Sequence, residues 1–266
     1  MVVYRVQIDR TDAWISLSSE LSTLGRKATV LIYDNGPVPQ EIPPSGVLDI
    51  HYNSNPTNAG VSAAYNHGSH LAIKMGMNWM FLLDQDTKLP PGALMKYSAA
   101  TAEHPTQLVF APVVWDQRGI VSPFKFRGAT GVRISSPGEV LTLKKYRAIN
   151  SGLLVSTALF EEVGGYDESI PLDFSDIAFL EKVSKVNDPL SIVGVKLQHH
   201  LSDAQPMSAQ ESLERFEKYC QGARMMQRRL GNAHAFWLRC FLRAIKLSLL
   251  HFDFRFLAVQ LQTWSR

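Results

Sequence analysis

The chain has little cysteine and no long hydrophobic run, and each absence excludes a class of protein. Only two of the 266 residues are cysteines, Cys220 and Cys240, which is too few for a disulfide framework and lacks the spacing of metal ligands. No stretch reaches the roughly 18 consecutive apolar residues of a transmembrane helix. Residues 1–5 also lack the apolar core of a signal peptide. The sequence therefore predicts a reducing, cytoplasmic location.

Excess charge of either sign is also small, but it is unevenly distributed. The formal net charge is +3, which gives no reason to expect a nucleic-acid partner. Residues 211–266 contain 10 Lys/Arg and 4 Asp/Glu, whereas the preceding 210 residues contain 17 and 20. This split predicts a catalytic domain over residues 1–205 and a basic helical extension over residues 206–266.

One run of residues carries the strongest chemical signal. Residues 79–83 are apolar without alternation, which is typical of a buried strand, and they lead directly into Asp84-Gln85-Asp86. Side chains two residues apart at a strand end point the same way. Neighbouring carboxylates repel each other, and a hard cation such as Mg²⁺ relieves the repulsion while it binds phosphates. The run predicts a metal–diphosphate site, and an ordinary solvated turn is the alternative.

Strand and helix patterns alternate from the N-terminus to residue 114. We predict strands at residues 2–6, 28–33, 47–52, 79–83 and 108–114, and helices at residues 11–24, 61–75 and 90–102. This order predicts an α/β fold with a mostly parallel central sheet flanked by helices. Ligands of such sheets bind at the carboxyl ends of the strands, where Asp34 and Asp84 both fall.

The second half predicts shorter elements around further polar residues. A strand over 148–155 contains Asn150-Ser151-Gly152, and helices fill the chain from residue 208 onward. Asp173 and Asp176 lie near a helix start. There a carboxylate can act as a general base or simply favour the helix dipole. His199-His200 follow the last predicted strand, and imidazole can bind a metal or a diphosphate, or be structural.

Two polar segments of the first half have ordinary alternatives. Asp34-Asn35-Gly36 follows a strand and can accept hydrogen bonds from a nucleotide, or form a plain turn. Asn58-Ala59-Gly60, with Asn66 and Gly68 after it, places small residues where a backbone can approach phosphates. Asn58 can instead cap the helix.

The predicted C-terminal helices are rich in aromatic and basic residues. Arg239, Arg243 and Lys246 lie on one helical face within the aromatic stretch 232–256. Such a helix suits an anionic bilayer surface. The alternative is a helix that packs on the body and turns its basic face to solvent.

These motifs, in this order, resemble family 2 glycosyltransferases of the GT-A fold, and especially the bacterial rhamnosyltransferase-like branch. The resemblance runs from about residue 4 to residue 202. It rests on the following segments: Asn58-x-Gly60 with Ala64-x-Asn66-x-Gly68, Leu83-Asp84-Gln85-Asp86, Ser151-Gly152, and Val163-Gly164-Gly165-Tyr166-Asp167.

The resemblance implies an inverting, metal-dependent transfer of a sugar, with L-rhamnose as a candidate, from a dTDP-, UDP- or GDP-sugar. It implies a glycan or lipid-linked acceptor in O-antigen or capsule synthesis, Mg²⁺ or Mn²⁺ as cofactor, and a peripheral position on the inner face of the cytoplasmic membrane. The implied roles are donor binding for Asp34, Asn58, Gly60 and Asn66, donor and metal binding for Asp84 and Asp86, metal binding for His199, general base for Asp176, and acceptor contacts for Asn150, Ser151, Gly152 and Asp173.

Departures from the family pattern leave other functions open. The usual Asp-x-Glu-Trp segment reads Asp176-Ile177-Ala178-Phe179, Lys182 occupies the usual arginine position, and the first strand is short. An inactive, scaffolding member of a polysaccharide-assembly complex is one alternative. A nucleotidyltransferase is another, but it should carry a Gly-rich basic loop between residues 6 and 14, where the sequence has none.

Overall fold

A computed structural model describes residues 1–198 and 208–265 of the protein. The strands are β1 (Val2–Val3), β2 (Ala28–Asp34), β3 (Leu48–Ser54), β4 (Trp79–Phe81), β5 (Val109–Asp116), β6 (Gly119–Ser122), β7 (Phe124–Arg127), β8 (Thr130–Arg133), β9 (Val140–Thr142), β10 (Tyr146–Arg147), β11 (Leu154–Ser156) and β12 (Pro189–Gln198). The helices are α1 (Asp12–Leu24), α2 (Gly60–Lys74), α3 (Ala93–Glu103), α4 (Thr157–Glu162), α5 (Ser175–Val183), α6 (Ala209–Leu230), α7 (Ala233–His251) and α8 (Arg255–Ser265), with a short 3₁₀ helix at Ile8–Arg10.

Besides an antiparallel sheet in the order β10-β7-β8, the strands form two sheets that meet at the N-terminus. The first is parallel, in the order β1-β2-β3. The second has the order β4-β11-β5-β12-β9 and is mixed, since only β5 and β12 run parallel in it. Val2 joins them, because its N–H donates to the Leu83 carbonyl at 3.0 Å and it pairs in parallel with Asp84. The predicted α/β fold is confirmed, although its second sheet is less parallel than expected.

Helices cover both faces of the sheets. On one side, Trp14 of α1 and Tyr97 of α3 belong to the same buried cluster as Phe110 of β5. On the other side, Tyr65 of α2 shares a buried cluster with Val109, the residue before Phe110. Successive residues of a strand point to opposite faces, so β5 contributes to both clusters. The result is a three-layer arrangement in which strand ends, rather than strand faces, are open to ligands.

The C-terminal helices share a third hydrophobic cluster with the body. Phe216, Phe236 and Phe256 come from α6, α7 and α8 and have no exposed surface. They cluster with Phe174 and Ile177 from the segment that carries Asp176. The domain boundary predicted at residues 205/206 lies outside the described residues and stays a prediction. No helix in the described ranges has both the length and the apolar run needed to cross a bilayer.

Two local predictions were wrong. The strand expected over 148–155 is confined to Leu154–Ser156, because Gly152 adopts a left-handed φ of 78° and turns the chain just before it. The N-cap of α2 is Ala59, without a side-chain hydrogen bond. Asn58 therefore does not cap this helix.

Candidate functional site

A cleft of about 550 Å³ opens where β1 and the strand leading to Asp84 end. Its walls come from both halves of the chain: the segments after β1 and β4, the turn before β11, the start of α5, and helices α6 and α7. The polar and charged residues that line it are Asp84, Gln85, Asp86, Asn150, Ser151, Asp173, Ser175, Asp176, Arg215, Tyr219, Arg239 and Arg243, together with Tyr4. The cleft thus unites six of the predicted site residues.

Asp84 is held in place by two neutral hydroxyl groups. Tyr65 donates to its Oδ1 at 2.7 Å, and Ser151 donates to its Oδ2 at 2.7 Å. Burial raises the pKa of Tyr65 well above its ordinary value, so this phenol stays protonated and able to donate. No lysine or arginine pairs with Asp84 within residues 1–198 and 208–265. The two hydroxyl groups therefore orient the carboxylate.

Asp86 lies on the exposed rim of the same cleft. The intervening Gln85 also lines the cleft, and its Oε1 accepts a hydrogen bond from the Tyr4 N–H at 2.8 Å. Two carboxylates beside an open cleft are the oxygen ligands that Mg²⁺ or Mn²⁺ prefers, with substrate phosphates completing the shell. Across the described ranges, no group of three or more His, Cys, Asp or Glu is arranged to hold a metal. His199 lies outside those ranges, so its metal contact stays a prediction.

Asp176 lies in the first turn of α5, enclosed by protein at the cleft wall. This burial raises its pKa to about 7, and the nearby carboxylates Asp173 and Asp84 add to the effect. The Ile177 N–H donates to its Oδ1 at 2.7 Å and works in the opposite direction. A carboxylate whose pKa is near 7 matches what general-base chemistry at neutral pH requires.

Asp173 is the second carboxylate of this segment. Its Oδ2 is buried with no hydrogen-bond partner among the described residues, and its Oδ1 lies 4.0 Å from the Arg215 guanidinium. A buried acceptor without a partner is costly unless a ligand supplies a donor. Asp173 therefore has the environment expected of a residue that binds a substrate hydroxyl.

The predicted acceptor residues divide into two groups. Asn150 and Ser151 line the cleft, and the Asn150 Oδ1 accepts a hydrogen bond from the Tyr166 hydroxyl at 2.6 Å. Gly152 packs into the interior instead, where its carbonyl accepts a hydrogen bond from Tyr97 at 2.5 Å. A Cβ at Gly152 would lie 2.9 Å from Leu197. Its role in the structure is close packing.

The small-residue motif at the start of α2 also has a packing role. A Cβ on Gly60 would lie 2.2 Å from the Pro171 carbonyl oxygen, and its φ is 90°. The close approach predicted for a phosphate is thus made to Pro171. The Asn66 Oδ1 accepts from the Tyr166 N–H at 2.8 Å. Neither Gly60 nor Asn66 lines the cleft, and neither does Asn58.

Asp34 is buried beside a second cleft. This cleft, of about 670 Å³, lies between residues 5–9 after β1 and residues 36–44 after β2. The Asp34 carboxylate accepts hydrogen bonds from the Gly36 N–H at 2.8 Å, from Gln40 at 3.0 Å and from the Tyr52 hydroxyl at 2.8 Å. Asp34 therefore shapes the loop that forms the cleft wall, and its contact with a nucleotide stays a prediction.

The departures from the family pattern have local structural explanations. Ala178 is fully buried in the cluster shared with α6 to α8, where a glutamate would be costly to bury. The Lys182 Nζ donates to the carbonyls of Gly164, at 2.9 Å, and Gly165. Both residues stabilise the body, and neither lines the cleft.

The sequence did not place the arginines of α7 at the cleft. Arg239 and Arg243 line the cleft, whereas Lys246 is exposed and does not. The basic face predicted for a bilayer is thus divided between the cleft and the solvent. Tyr219, the aromatic residue beside these arginines, belongs to α6. Its closeness to α7 is not apparent from the spacing of residues along the chain.

No protein-family model and no curated protein matches the chain. Among solved structures it is similar to S. aureus TarS 1–349, with a TM-score of 0.51 and 14% identity over 98% of this chain and 79% of that one. It is also similar to GalNAc-T7, solved with UDP, GalNAc and Mn²⁺, with a TM-score of 0.48 and 14% identity over 74% of this chain. The match spans only 43% of the GalNAc-T7 chain. Both neighbours are GT-A glycosyltransferases, and the likeness to TarS shows that this chain has the GT-A fold.

Proposed function

We propose that the protein is an inverting glycosyltransferase that moves a sugar from a nucleoside-diphosphate sugar to a hydroxyl group of a glycan or lipid-linked acceptor. One observation carries the proposal. Asp84 and Asp86 at a strand end line the same cleft as Asp176, whose pKa is raised to about 7, within a GT-A fold. The cleft thus offers a base for a hydroxyl and a carboxylate edge for a metal-bound diphosphate.

The proposed reaction is a single in-line displacement. The Asp176 carboxylate accepts the proton of the acceptor hydroxyl while that oxygen forms a bond to the anomeric carbon. The bond from the anomeric carbon to the diphosphate oxygen breaks, and its electron pair leaves with the nucleoside diphosphate. Attack opposite the leaving group inverts the anomeric configuration. The buried Asp173 Oδ2 accepts a hydrogen bond from a second hydroxyl group of the acceptor and so orients the acceptor.

Asp86 and Asp84 are the residues that would hold the Mg²⁺ or Mn²⁺ ion. When bound, such an ion acts as a Lewis acid that offsets the charge developing on the diphosphate. Ser151 and Tyr65 keep Asp84 oriented through their hydrogen bonds. We infer that the nucleoside occupies the cleft beside Asp34, since consecutive residues line the two clefts: Tyr4 the first and Arg5 the second.

The finer parts of the proposal rest on the sequence resemblance. They are L-rhamnose as a candidate sugar, a dTDP-, UDP- or GDP-linked donor, and a role in O-antigen or capsule synthesis. The sequence alternatives, a scaffolding protein and a nucleotidyltransferase, lack a supporting observation of comparable weight.

A peripheral position on the cytoplasmic membrane is supported by an exposed apolar patch near the end of α7. Phe252 and Phe254 are 93% and 78% exposed, and Leu249 and Leu250 are also exposed. Large exposed apolar side chains are typical of bilayer contact. Flotation with anionic vesicles tests this. The wild-type protein should float with the vesicles, whereas the double variant Phe252→Ser with Phe254→Ser should stay unbound. Equal flotation of the wild-type protein and the variant would exclude the patch as the membrane contact.

The test of the proposed function is thermal stabilisation by dTDP, UDP and GDP, and by their sugar conjugates, with and without Mn²⁺. A ligand that binds only the folded state raises the melting temperature. We expect one base to give a Mn²⁺-dependent rise, which names the donor class. A well-folded protein that responds to none of them would contradict the proposed function and leave the scaffolding role.

A further inference from the structure

Two arginines of α7 form part of the cleft wall, and one tyrosine holds both. Arg239 and Arg243 lie one helical turn apart and line the cleft. The Arg239 Nε donates to the Tyr219 hydroxyl at 2.6 Å, while the Arg243 guanidinium lies 4.0 Å from the centroid of the same ring. Arg239 also donates to the Ala129 carbonyl at 2.7 Å. Both guanidinium groups are therefore fixed before any ligand arrives.

The positive charge of this pair has no carboxylate partner in the described ranges. No acidic side chain of residues 1–198 or 208–265 forms an ion pair with Arg239 or Arg243. Arg215, by contrast, faces Asp173 at 4.0 Å. Two half-buried cations on one tyrosine repel each other, and a bound anion would relieve the repulsion. Guanidinium groups bind phosphate oxygens with particular strength, because their N–H groups match the spacing of those oxygens.

The arginine pair lies on the side of the cleft that carries the proposed base. The Tyr219 ring packs 5.0 Å from the ring of Phe174, which lies between Asp173 and Asp176 in the chain. The second, smaller pocket beside Arg239 is lined by Phe174, Ile177 and residues of the β7–β8 hairpin. Asp84, Gln85 and Asp86 do not line that pocket. Arg239, with Arg243 one turn further along the same helix, therefore lies against the wall that carries Asp173 and Asp176.

We propose that Arg239 and Arg243 bind a phosphate group of the acceptor, so that the enzyme glycosylates a phosphorylated glycan or a lipid-phosphate-linked sugar. The inference rests on the proposed function, because it needs a donor diphosphate on the other edge of the cleft. A phosphate could also belong to the donor itself, and the two sources differ in one respect. An acceptor phosphate binds together with the nucleoside diphosphate, whereas a donor phosphate competes with it.

The test measures binding of sn-glycerol 3-phosphate by calorimetry, first alone and then with saturating nucleoside diphosphate and Mn²⁺. We expect the wild-type protein to bind the probe under both conditions. Arg243→Gln should weaken this binding about 10-fold or more, as expected for loss of a charge-assisted contact. Arg243→Lys, which keeps the charge, should weaken it less. Lys246→Gln is the matched control, since it removes the same charge from the same helix outside the cleft, and it should bind as wild type.

The possible outcomes distinguish failure of the proposed arginine site from failure of the proposed function. Competition between the probe and the nucleoside diphosphate would overturn the assignment to the acceptor. Failure of the wild-type protein to bind the probe, or equal weakening by Lys246→Gln, would overturn the arginine site. In either case, Mn²⁺-dependent binding of the nucleoside diphosphate would leave the proposed function intact. Failure of that binding as well would remove the proposed function itself.

Discussion

The two walls of the cleft hold their charges in different ways. On the sheet edge, Asp84 and Asp86 are two residues apart, and Asp84 is oriented by hydroxyl groups of Tyr65 and Ser151. On the helical wall, the arginines come from the far end of the chain and are fixed by an aromatic ring and by a distant carbonyl. The carboxylates of the first wall lie close together because they are near neighbours in the sequence. The arginines of the second wall reach the cleft because their helix packs against the body.

This difference shows which part of the candidate site can be predicted from local sequence. Asp84 and Asp86 follow a single strand and lie two residues apart, so the chain itself brings both to the same edge of the sheet. A helix presents its basic residues to whatever its neighbours leave open. Arg239 and Lys246 share a predicted face, yet only Arg239 lines the cleft. The functional direction of a helical face is therefore decided by the core that the helix joins.

The largest expected effect distinguishes the proposed base, Asp176, from the carboxylates proposed to bind the donor. Asp176→Asn should lower the rate of sugar transfer by about 10²- to 10⁴-fold, because general-base catalysis contributes that much. Donor binding should be unchanged, since it depends on the other wall. The measurement is turnover of the nucleotide sugar beside calorimetric binding of the nucleoside diphosphate.

Under the proposed function, the pH profile of the wild-type protein provides the control for that variant. The base must be deprotonated to act, so kcat should rise with pH and level off above about 7, which is the pKa of Asp176. Rapid transfer by Asp176→Asn would assign the base to another residue.

A pair of glycine substitutions in α2 compares two positions of the same sequence motif. Gly60→Ala should destabilise the protein by about 2–4 kcal/mol, because the new Cβ meets the Pro171 carbonyl at a φ of 90°. Gly68→Ala meets only ordinary contacts at 3.5 Å and should be neutral or stabilising by up to about 1 kcal/mol. Urea unfolding of both variants measures this, and equal effects would contradict the packing role of Gly60.

The difference in stability between Asp176→Asn and the wild-type protein should depend on pH. The folded-state pKa of Asp176 is raised from 3.8 to about 7, so the native state binds the extra proton between these values and wild-type stability falls as pH rises through them. At pH 8 the variant, which cannot ionise, should be more stable by about 1–3 kcal/mol, and at pH 4 the difference should vanish. Melting curves across pH test this, and a pH-independent difference would exclude the buried carboxylate as its cause.

The smallest expected effect tests how the helical wall is held. Tyr219→Phe removes the hydroxyl that anchors Arg239 but keeps the ring beneath Arg243. Loss of one hydrogen bond should cost about 1 kcal/mol of unfolding free energy, measured by urea titration with Tyr33→Phe as a matched control. A loss of several kcal/mol would mean that the ring itself had moved.

Much of the fold was predictable, because it follows from periodic burial. The spacing of Trp14, Leu17 and Leu21 predicted α1, and these side chains are buried there. The α/β order and the position of Asp84 and Asp86 at a strand end were also predicted. The strand predicted over 148–155 is shorter in the structure, because Gly152 turns the chain and packs against Tyr97 and Leu197, which are distant in sequence.

The site was less predictable than the fold. Asp176 was singled out from its place near a helix start, but its enclosed environment comes from packing of the surrounding segments. The roles of Asn66 and Gly60 in holding the segment around Tyr166 and Pro171 needed long-range contacts. The position of the arginines in the helical wall depends on how α6 and α7 pack together, and no local sequence pattern predicts this packing.

The central claim is that the sheet edge binds the donor while Asp176 acts on the acceptor. Its most direct test is calorimetric titration of Asp86→Asn and Asp176→Asn with the nucleoside diphosphate that stabilises the wild-type protein, with and without Mn²⁺. We predict that Asp86→Asn loses the Mn²⁺-dependent binding, while Asp176→Asn binds as tightly as wild type. Unchanged Mn²⁺-dependent binding by Asp86→Asn would contradict the account.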